Sequence, residues 1–387
     1  MGDPLDHSPC VFLQLGVHRA LSPFPDVAVR TEKNSTCLAR SGNPEPPEML
    51  YHPSRNSSKR PARLPMLPSP SPVVGRLAPS PTGGLHVGHA RTFLIAWLAA
   101  RSRGGRIVLR IEDIDASRVR PEALSGLIVD LRWVGLDWDE GPDLGGAHGP
   151  YLQSQRTSLY EQMLDRLKQK ELVYPCTCTR AEIARVASAP HSGEEGPSYP
   201  GTCLNRRAED ADSLSERPFS WRFRVPKGRV EWNDQARGWQ SVDPSAVGGD
   251  FLVGRSTGEP AYQLAVVCDD HFMEVNQVIR GDDLVTSTPR QILLYEAMGW
   301  TPPSFGHVPL VIDDQRKRLA KRDQSIKLET LRERGVDPRS LIKVLTNSIG
   351  MSKGPGDSWP EDWIERFDLA SVPRGPWVAP GVESLTG

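Results

Sequence analysis

The stretch Gly75-Arg76-Leu77-Ala78-Pro79-Ser80-Pro81-Thr82-Gly83-Gly84-Leu85-His86-Val87-Gly88-His89 restricts this chain more than any other. A short apolar strand runs into a connection stiffened by prolines and loosened by glycines, and a helix begins where the glycines end. Arg76 can meet an anion, and Ser80 and Thr82 offer hydroxyls. His86 and His89 share one face if the helix starts at this point. Strand, loop and helix N-terminus in that order make a cradle suited to a triphosphate. The plain alternative is a proline and glycine connection before a core helix that carries two incidental histidines.

The order of elements around this stretch predicts an α/β fold. After the strand Val73 to Leu77 comes a helix from Val87 to Arg101, with Phe93, Leu94, Trp97 and Leu98 on its apolar face and Gly104-Gly105 to stop it. A second strand, Arg106 to Ile111, ends in Glu112-Asp113-Ile114-Asp115. Strand, helix and strand fit a parallel, Rossmann-like sheet whose ligands gather at the carboxyl ends of the strands, where the loop after Leu77 and Glu112 both fall. Helices starting at Pro121 and running from Arg156 to Lys170 read as scaffold.

From Tyr174 to Asp250 the pattern breaks into short pieces with clustered cysteines and tryptophans, which predicts an insertion. Ala261 to Val267 reads as a buried strand, and Val275 to Ile279 as another that leads into Arg280-Gly281-Asp282-Asp283. Thr288-Pro289 supplies an N-cap and a first-turn proline for a helix that ends at Gly299. Val308 to Ile312 reads as a last strand, and a small helical region includes Pro338 to Ile349. The predicted divisions are a disordered arm at 1–72, the two halves of the α/β domain at 73–173 and 251–350, the insertion at 174–250 and a loose tail at 351–387. Met66 is a second candidate start of translation.

The 387 residues carry a formal net charge of -1, so any RNA surface must be a local patch rather than a global basic field. Three of the six cysteines, Cys176, Cys178 and Cys203, lie close together, which suits a metal site better than a disulfide framework and points to a reducing, cytoplasmic compartment. The metal-free alternative is three buried or reactive thiols. No apolar run approaches the roughly 20 residues that span a bilayer, so no membrane partner is expected.

The loop Pro79-Ser80-Pro81-Thr82-Gly83 with His86-Val87-Gly88-His89 resembles the HIGH signature of class I aminoacyl-tRNA synthetases, and Arg318-Leu319-Ala320-Lys321-Arg322 resembles their KMSKS loop. The resemblance implies that His86, Gly88, His89 and Lys321 bind ATP, with Mg2+, and that His86, His89 and Lys321 stabilise the charge that develops as an amino-acid carboxylate attacks the α-phosphate. Arg318 stands where lysine is usual and Ala320 where serine is usual, which bears on loop closure and rate.

Residues 76–80, Arg110 to Asp113, Ala261 to Val267 and Arg280 to Asp283 resemble the glutamate pocket of glutamyl-tRNA synthetases, over most of residues 74–335. Carried over by position, Arg76 and Arg280 meet substrate carboxylate, Glu112 the ammonium, and Tyr262 offers its hydroxyl. Leu77, Ala78, Pro79 and Ser80 complete the pocket, with Leu77 where phenylalanine is common. Cys176-Thr177-Cys178 followed by Tyr199-Pro200-Gly201-Thr202-Cys203 resembles the structural Zn2+ site of the shorter glutamyl-Q tRNA(Asp) synthetases, with Tyr199 as an unusual fourth ligand. His191 is the rival for that fourth position.

Full-length glutamyl-tRNA synthetases continue past the KMSKS loop into large helical anticodon-reading domains, whereas this chain ends at Gly387. The resemblance therefore implies the paralogue that activates glutamate with ATP and transfers it to queuosine in the anticodon stem-loop of tRNA(Asp), acting as a monomer. Two alternatives stay open. One is a truncated glutamyl-tRNA synthetase that charges the acceptor end, and the other is a non-catalytic RNA-binding protein on the same scaffold.

Overall fold

The computed structural model describes residues 72–115, 117, 119–186, 198–214, 217–313, 327–351 and 358–379. The predicted N-terminal arm, His191, and the basic stretch with Arg318, Ala320 and Lys321 lie outside the described residues.

The chain opens with β1 (Val74–Leu77), α1 (Val87–Arg101) and β2 (Arg106–Leu109). β1 and β2 pair in parallel, with Val74 opposite Arg106 and Leu77 opposite Leu109. Gly75 suits this unit, because a Cβ there would stand 3.0 Å from the Cβ of Ala100 in α1. Helix and strand therefore approach so closely that a side chain at 75 would have to push Ala100 or Ile107 aside. α2 (Pro121–Trp133) and α3 (Thr157–Gln169) follow as amphipathic scaffold, with Tyr160, Met163, Leu164 and Leu167 of α3 buried.

Next come β3 (Val173–Cys176), α4 (Arg180–Val186), β4 (Ser220–Phe223), β5 (Val230–Asp234), β6 (Gly238–Val242) and β7 (Phe251–Arg255). β3, β4 and β7 form an antiparallel sheet, and β5 with β6 forms a hairpin. The insertion is more regular than its sequence suggests, and its sheet runs past Asp250 to Arg255.

α5 (Tyr262–Phe272), β8 (Gln277–Gly281), α6 (Thr288–Met298) and β9 (Ser304–Val308) return the chain to the main sheet. β8 and β9 pair in parallel, and the Asn276 backbone amide donates to the Val74 carbonyl at 3.1 Å, placing β8 beside β1. The parallel strands thus lie in the order β2, β1, β8, β9. β10 (Val311–Ile312), α7 (Leu328–Glu333), α8 (Pro338–Ser348) and β11 (Trp377–Val378) complete the described elements, with β11 pairing in parallel to β10.

Side chains of the sheet alternate between two cores. Ile107 and Leu109 of β2 join Leu77, α1, α7 and α8 on one face. Val108 and Val74 join α3, α5, α6 and the strands of the insertion on the other. No helix among the described residues is long and apolar enough to cross a membrane.

Three expectations are corrected. Ala261 to Val267 is not a strand: Tyr262 begins α5, and a helix buried from Gln263 to Asp270 shows no polar stripe from which its period could be read. Ser287, not Thr288, is the N-cap residue of α6, and the Thr288 hydroxyl accepts from Arg280 instead. The tail beyond Met351 is not loose throughout. Residues 360–366 form a 3-10 turn with Trp363 buried in the core, and Trp377–Val378 adds the strand β11.

Candidate active site

α1 begins at a turn that its own side chains close. His86 is the N-cap residue, and its Nδ1 accepts from the backbone amides of Gly88 at 3.1 Å and His89 at 3.4 Å. His89 returns the bond, its Nδ1 accepting from the His86 amide at 3.3 Å, and the two rings stack with centroids 3.7 Å apart. With each Nδ1 accepting, a neutral imidazole carries its proton on Nε2. Two N–H donors then stand where the helix dipole favours an anion.

These residues edge a cavity of about 340 Å³ at the carboxyl ends of β1, β2 and β8. Arg76, Ala78, Pro79 and Ser80 enter it from β1 and the following loop, and His86, Gly88 and His89 from the start of α1. Glu112 follows β2, Tyr262 opens α5, and Arg280 stands near the end of β8. Leu77 is the exception. Alternation along β1 turns its side chain away from that of Arg76 and into the core beneath α1, so it does not line the cavity. Its carbonyl instead accepts from the Arg110 amide at 2.9 Å.

Charge in the floor is arranged in pairs. Arg110 is fully buried, donates to Asp270 at 2.7 Å and to Glu112 at 3.3 Å, and has its Nε 3.6 Å from Asp269. Burial alone would lower the Arg110 guanidinium, but Asp270, Asp269 and Glu112 outweigh it and raise it well above its ordinary value. The Nε of Arg76 lies 3.6 Å from Asp270, and its Nη1 donates to the Ile279 carbonyl at 3.1 Å. Burial pushes the Glu112 carboxyl up, against the pull of Arg110 and Arg76. A cation in the cavity would relieve that penalty.

Arg280 is 4% exposed. Its Nε donates to the Nε2 of His307 at 3.0 Å, and its Nη2 donates to the Thr288 hydroxyl at 2.8 Å. Its Nη1 has no hydrogen-bond partner. A buried guanidinium nitrogen without an acceptor, in a cavity wall, leaves one position for an anionic oxygen.

A second cluster lies in the insertion. The sulfurs of Cys176, Cys178 and Cys203 lie within 4.8 Å of one another, and the Tyr199 oxygen is 3.4 Å from Cys176 Sγ. The same phenol oxygen accepts from the Cys203 amide at 2.8 Å. Burial alone would raise the Cys203 thiol, but the Thr177 backbone amide and the Tyr199 hydroxyl bring it down to about 7. Three soft donors and a phenol oxygen, largely buried, fit a closed tetrahedral site for a thiophilic metal.

Several residues at the site escape sequence reasoning. Asp269 and Asp270, the acceptors for Arg110, end an apolar run, and two adjacent acids in such a position are the signal that could have found them. His307 interrupts the apolar strand β9, and Asp234 closes β5 more than seventy positions upstream, so only the fold brings them to Arg280.

Residues 72–360 match the family model described as tRNA synthetases class I (E and Q), catalytic domain. The chain is 49% identical over 323 residues to the glutamyl-Q tRNA(Asp) synthetase of Symbiobacterium thermophilum, covering 81% of this chain and 99% of that protein. It is 46% identical over 284 residues to glutamate--tRNA ligase 2 of Syntrophus aciditrophicus, covering 73% of this chain and 58% of the ligase. Among solved structures, the glutamate-tRNA synthetase of Elizabethkingia anophelis superposes with a TM-score of 0.70 at 29% identity, covering 81% of this chain and 69% of that one. The parallel sheet, the capped histidine pair and these likenesses agree: the chain belongs to the class I tRNA synthetases of the E and Q type, in the family of the glutamyl-Q tRNA(Asp) synthetases.

Proposed function

We propose that this protein activates glutamate with ATP and transfers the glutamyl group to queuosine in the anticodon loop of tRNA(Asp). The observation that carries the reading is the joining of two half-sites in one cavity. His86 and His89 stand at a helix N-terminus on one side, and Arg76, Glu112 and Arg280, whose buried Nη1 is unpartnered, stand on the other.

The chemistry follows from where these groups point charge. A glutamate carboxylate takes the open bond of Arg280, and Arg76 faces substrate carboxylate from β1. Glu112, whose ionisation the cavity disfavours when empty, pairs with the substrate ammonium. The attacking carboxylate then adds to the α-phosphorus of ATP, and the bond to the bridging oxygen of pyrophosphate breaks. The Nε2–H groups of His86 and His89 offset the negative charge that grows on the phosphate oxygens, and Lys321 and Mg2+ would supply further positive charge. In the second step a queuosine hydroxyl attacks the glutamyl carbonyl, and AMP departs.

One Zn2+ held by Cys176, Cys178, Cys203 and Tyr199 would supply structural cross-linking of the insertion and no redox chemistry. Tyr199 is taken as the fourth ligand on the strength of the motif, and its oxygen stands 3.4 Å from Cys176 Sγ.

The alignment spans nearly the whole length of the Symbiobacterium protein and little more than half of the Syntrophus ligase, which favours queuosine over the acceptor end as the glutamyl acceptor. Two assays decide. Glutamate-dependent exchange of pyrophosphate into ATP is expected, and its absence would reduce the protein to a binding module. Glutamate attachment to queuosine-containing tRNA(Asp) is expected, with none to queuosine-lacking tRNA(Asp) or to tRNA(Glu). Charging of tRNA(Glu) would return the protein to acceptor-end chemistry.

A further inference from the structure

Arg280 and His307 stand opposite each other in the parallel register of β8 and β9, with their side chains on the same face. Beneath them the hairpin of the insertion docks on β9. The Gln235 amide donates to the Phe305 carbonyl at 2.8 Å, and Asp234 is in hydrogen-bond contact with His307 Nδ1 through Oδ2. The other carboxylate oxygen, Oδ1, accepts from three backbone amides, those of Ala236, Arg237 and His307, each at 3.0 Å. Both Asp234 and His307 are buried, so this network has no solvent to exchange partners with.

The tautomer of His307 follows from its neighbours. Arg280 Nε–H can only donate, so the Nε2 of His307 accepts and the ring proton sits on Nδ1, facing Asp234. Burial holds His307 down to about 4, so the ring is neutral near physiological pH and does not repel Arg280. Thr288 completes the clamp, its hydroxyl 2.8 Å from Arg280 Nη2 and 3.0 Å from His307 Nε2. Two of the three guanidinium nitrogens are thereby used, and the third, Nη1, is buried without a hydrogen-bond partner in a residue that lines the cavity.

We propose that Asp234 and His307 are positioning residues for Arg280: the carboxylate holds the His307 proton on Nδ1, which frees Nε2 to fix the guanidinium with Nη1 aimed at the carboxylate of the substrate. The proposal rests on glutamate as that substrate. It also gives the insertion a part in amino-acid recognition, because Asp234 belongs to the β5–β6 hairpin and touches no substrate.

Asp234→Asn separates orientation from packing. The three amides that donate to Oδ1 keep the amide oxygen of asparagine in that place, so its NH2 turns toward His307 Nδ1. His307 must then accept at Nδ1 and protonate Nε2, which sets an N–H against the N–H of Arg280. The KM for glutamate in pyrophosphate exchange should rise about tenfold or more, while the KM for ATP stays within about twofold. In the ligand-free protein, long-range nitrogen–proton NMR of the imidazole should show an Nδ1–H tautomer for the wild type and Nε2–H for Asp234→Asn.

His307→Gln offers a carbonyl to Arg280 and should keep a lower KM for glutamate than His307→Leu, which offers none. This pair tests the idea even if Asp234→Asn fails to fold. An Nε2–H tautomer in the wild type, equal KM for glutamate in the Gln and Leu variants, or equal increases in KM for glutamate and ATP would overturn the proposal. A wild type without any glutamate-dependent exchange would instead overturn the choice of substrate, and the tautomer measurement would still judge the positioning.

Discussion

His86 and His89 each accept the backbone N–H of the other, at 3.4 and 3.3 Å, so both rings at the start of α1 carry the proton of a neutral imidazole on Nε2. The cap and the proposed phosphate donor are separable by mutation. Asparagine is among the best N-cap residues, and an alanine there costs about 1 kcal/mol. His86→Asn is therefore expected to keep the melting temperature of the wild type while pyrophosphate exchange falls about 100-fold or more. His86→Ala should lose both. Exchange at the wild-type rate in His86→Asn would remove the phosphate role.

Gly88 carries a different constraint. A Cβ there would stand 2.9 Å from Cε1 and 3.0 Å from Nδ1 of the His86 ring, and 3.4 Å from the Cβ of Val311. Gly88→Ala must push His86 off its cap, although alanine suits a helix. We expect pyrophosphate exchange to fall about tenfold and stability to drop by about 1 kcal/mol in denaturant titration. A more stable Gly88→Ala protein, as helix propensity alone demands, would show that the ring moves freely.

Cys178 is the least buried thiol of the cluster in the insertion, and burial pushes it up to about 11 in the absence of a metal. Metal analysis of the purified protein should return one zinc per chain. Cys178→Ala should lose it and lower the melting temperature, as chelation of the wild type should. Full zinc content in Cys178→Ala would place the metal elsewhere.

Asp130 of α2 is buried, and its Oδ1 lies 3.6 Å from Arg332 of α7 without a hydrogen bond. Burial pushes its carboxyl up to about 6, against the pull of Arg332. The folded value is above the unfolded one, so this group stabilises the fold below about pH 4, and the contribution is lost as pH rises through about 6. Asp130→Asn stays neutral throughout. It should be more stable than the wild type near neutral pH, by about 1 to 2 kcal/mol once screening at the half-exposed Arg332 is allowed for. Its stability should also vary less with pH across that window, as followed by denaturant titrations.

Local rules carried much of the fold. The glycines after Thr82 and the pair Gly104-Gly105 mark both ends of α1, which runs from Val87 to Arg101 as its pattern predicts. α5 failed because burial on nearly every face erased its period, leaving an apolar run that a strand explains equally well. β11 failed for another reason. Trp377–Val378 is ordered by pairing with Val311–Ile312, and a two-residue strand has no pattern of its own. The candidate site divides in the same way. Arg76, Glu112 and Arg280 stand out as charges at strand ends, whereas Asp234 and His307 matter only because β5 is laid on β9.

The bridge between His86 and Lys327, with the Leu328 amide donating to the Leu85 carbonyl at 2.9 Å, returns the chain to the rim of the cavity. The starts of α1 and α7 are therefore fastened directly to each other although about 240 positions separate them in the chain, so a substitution that loosens Leu328 would be felt at the His86 cap without touching it.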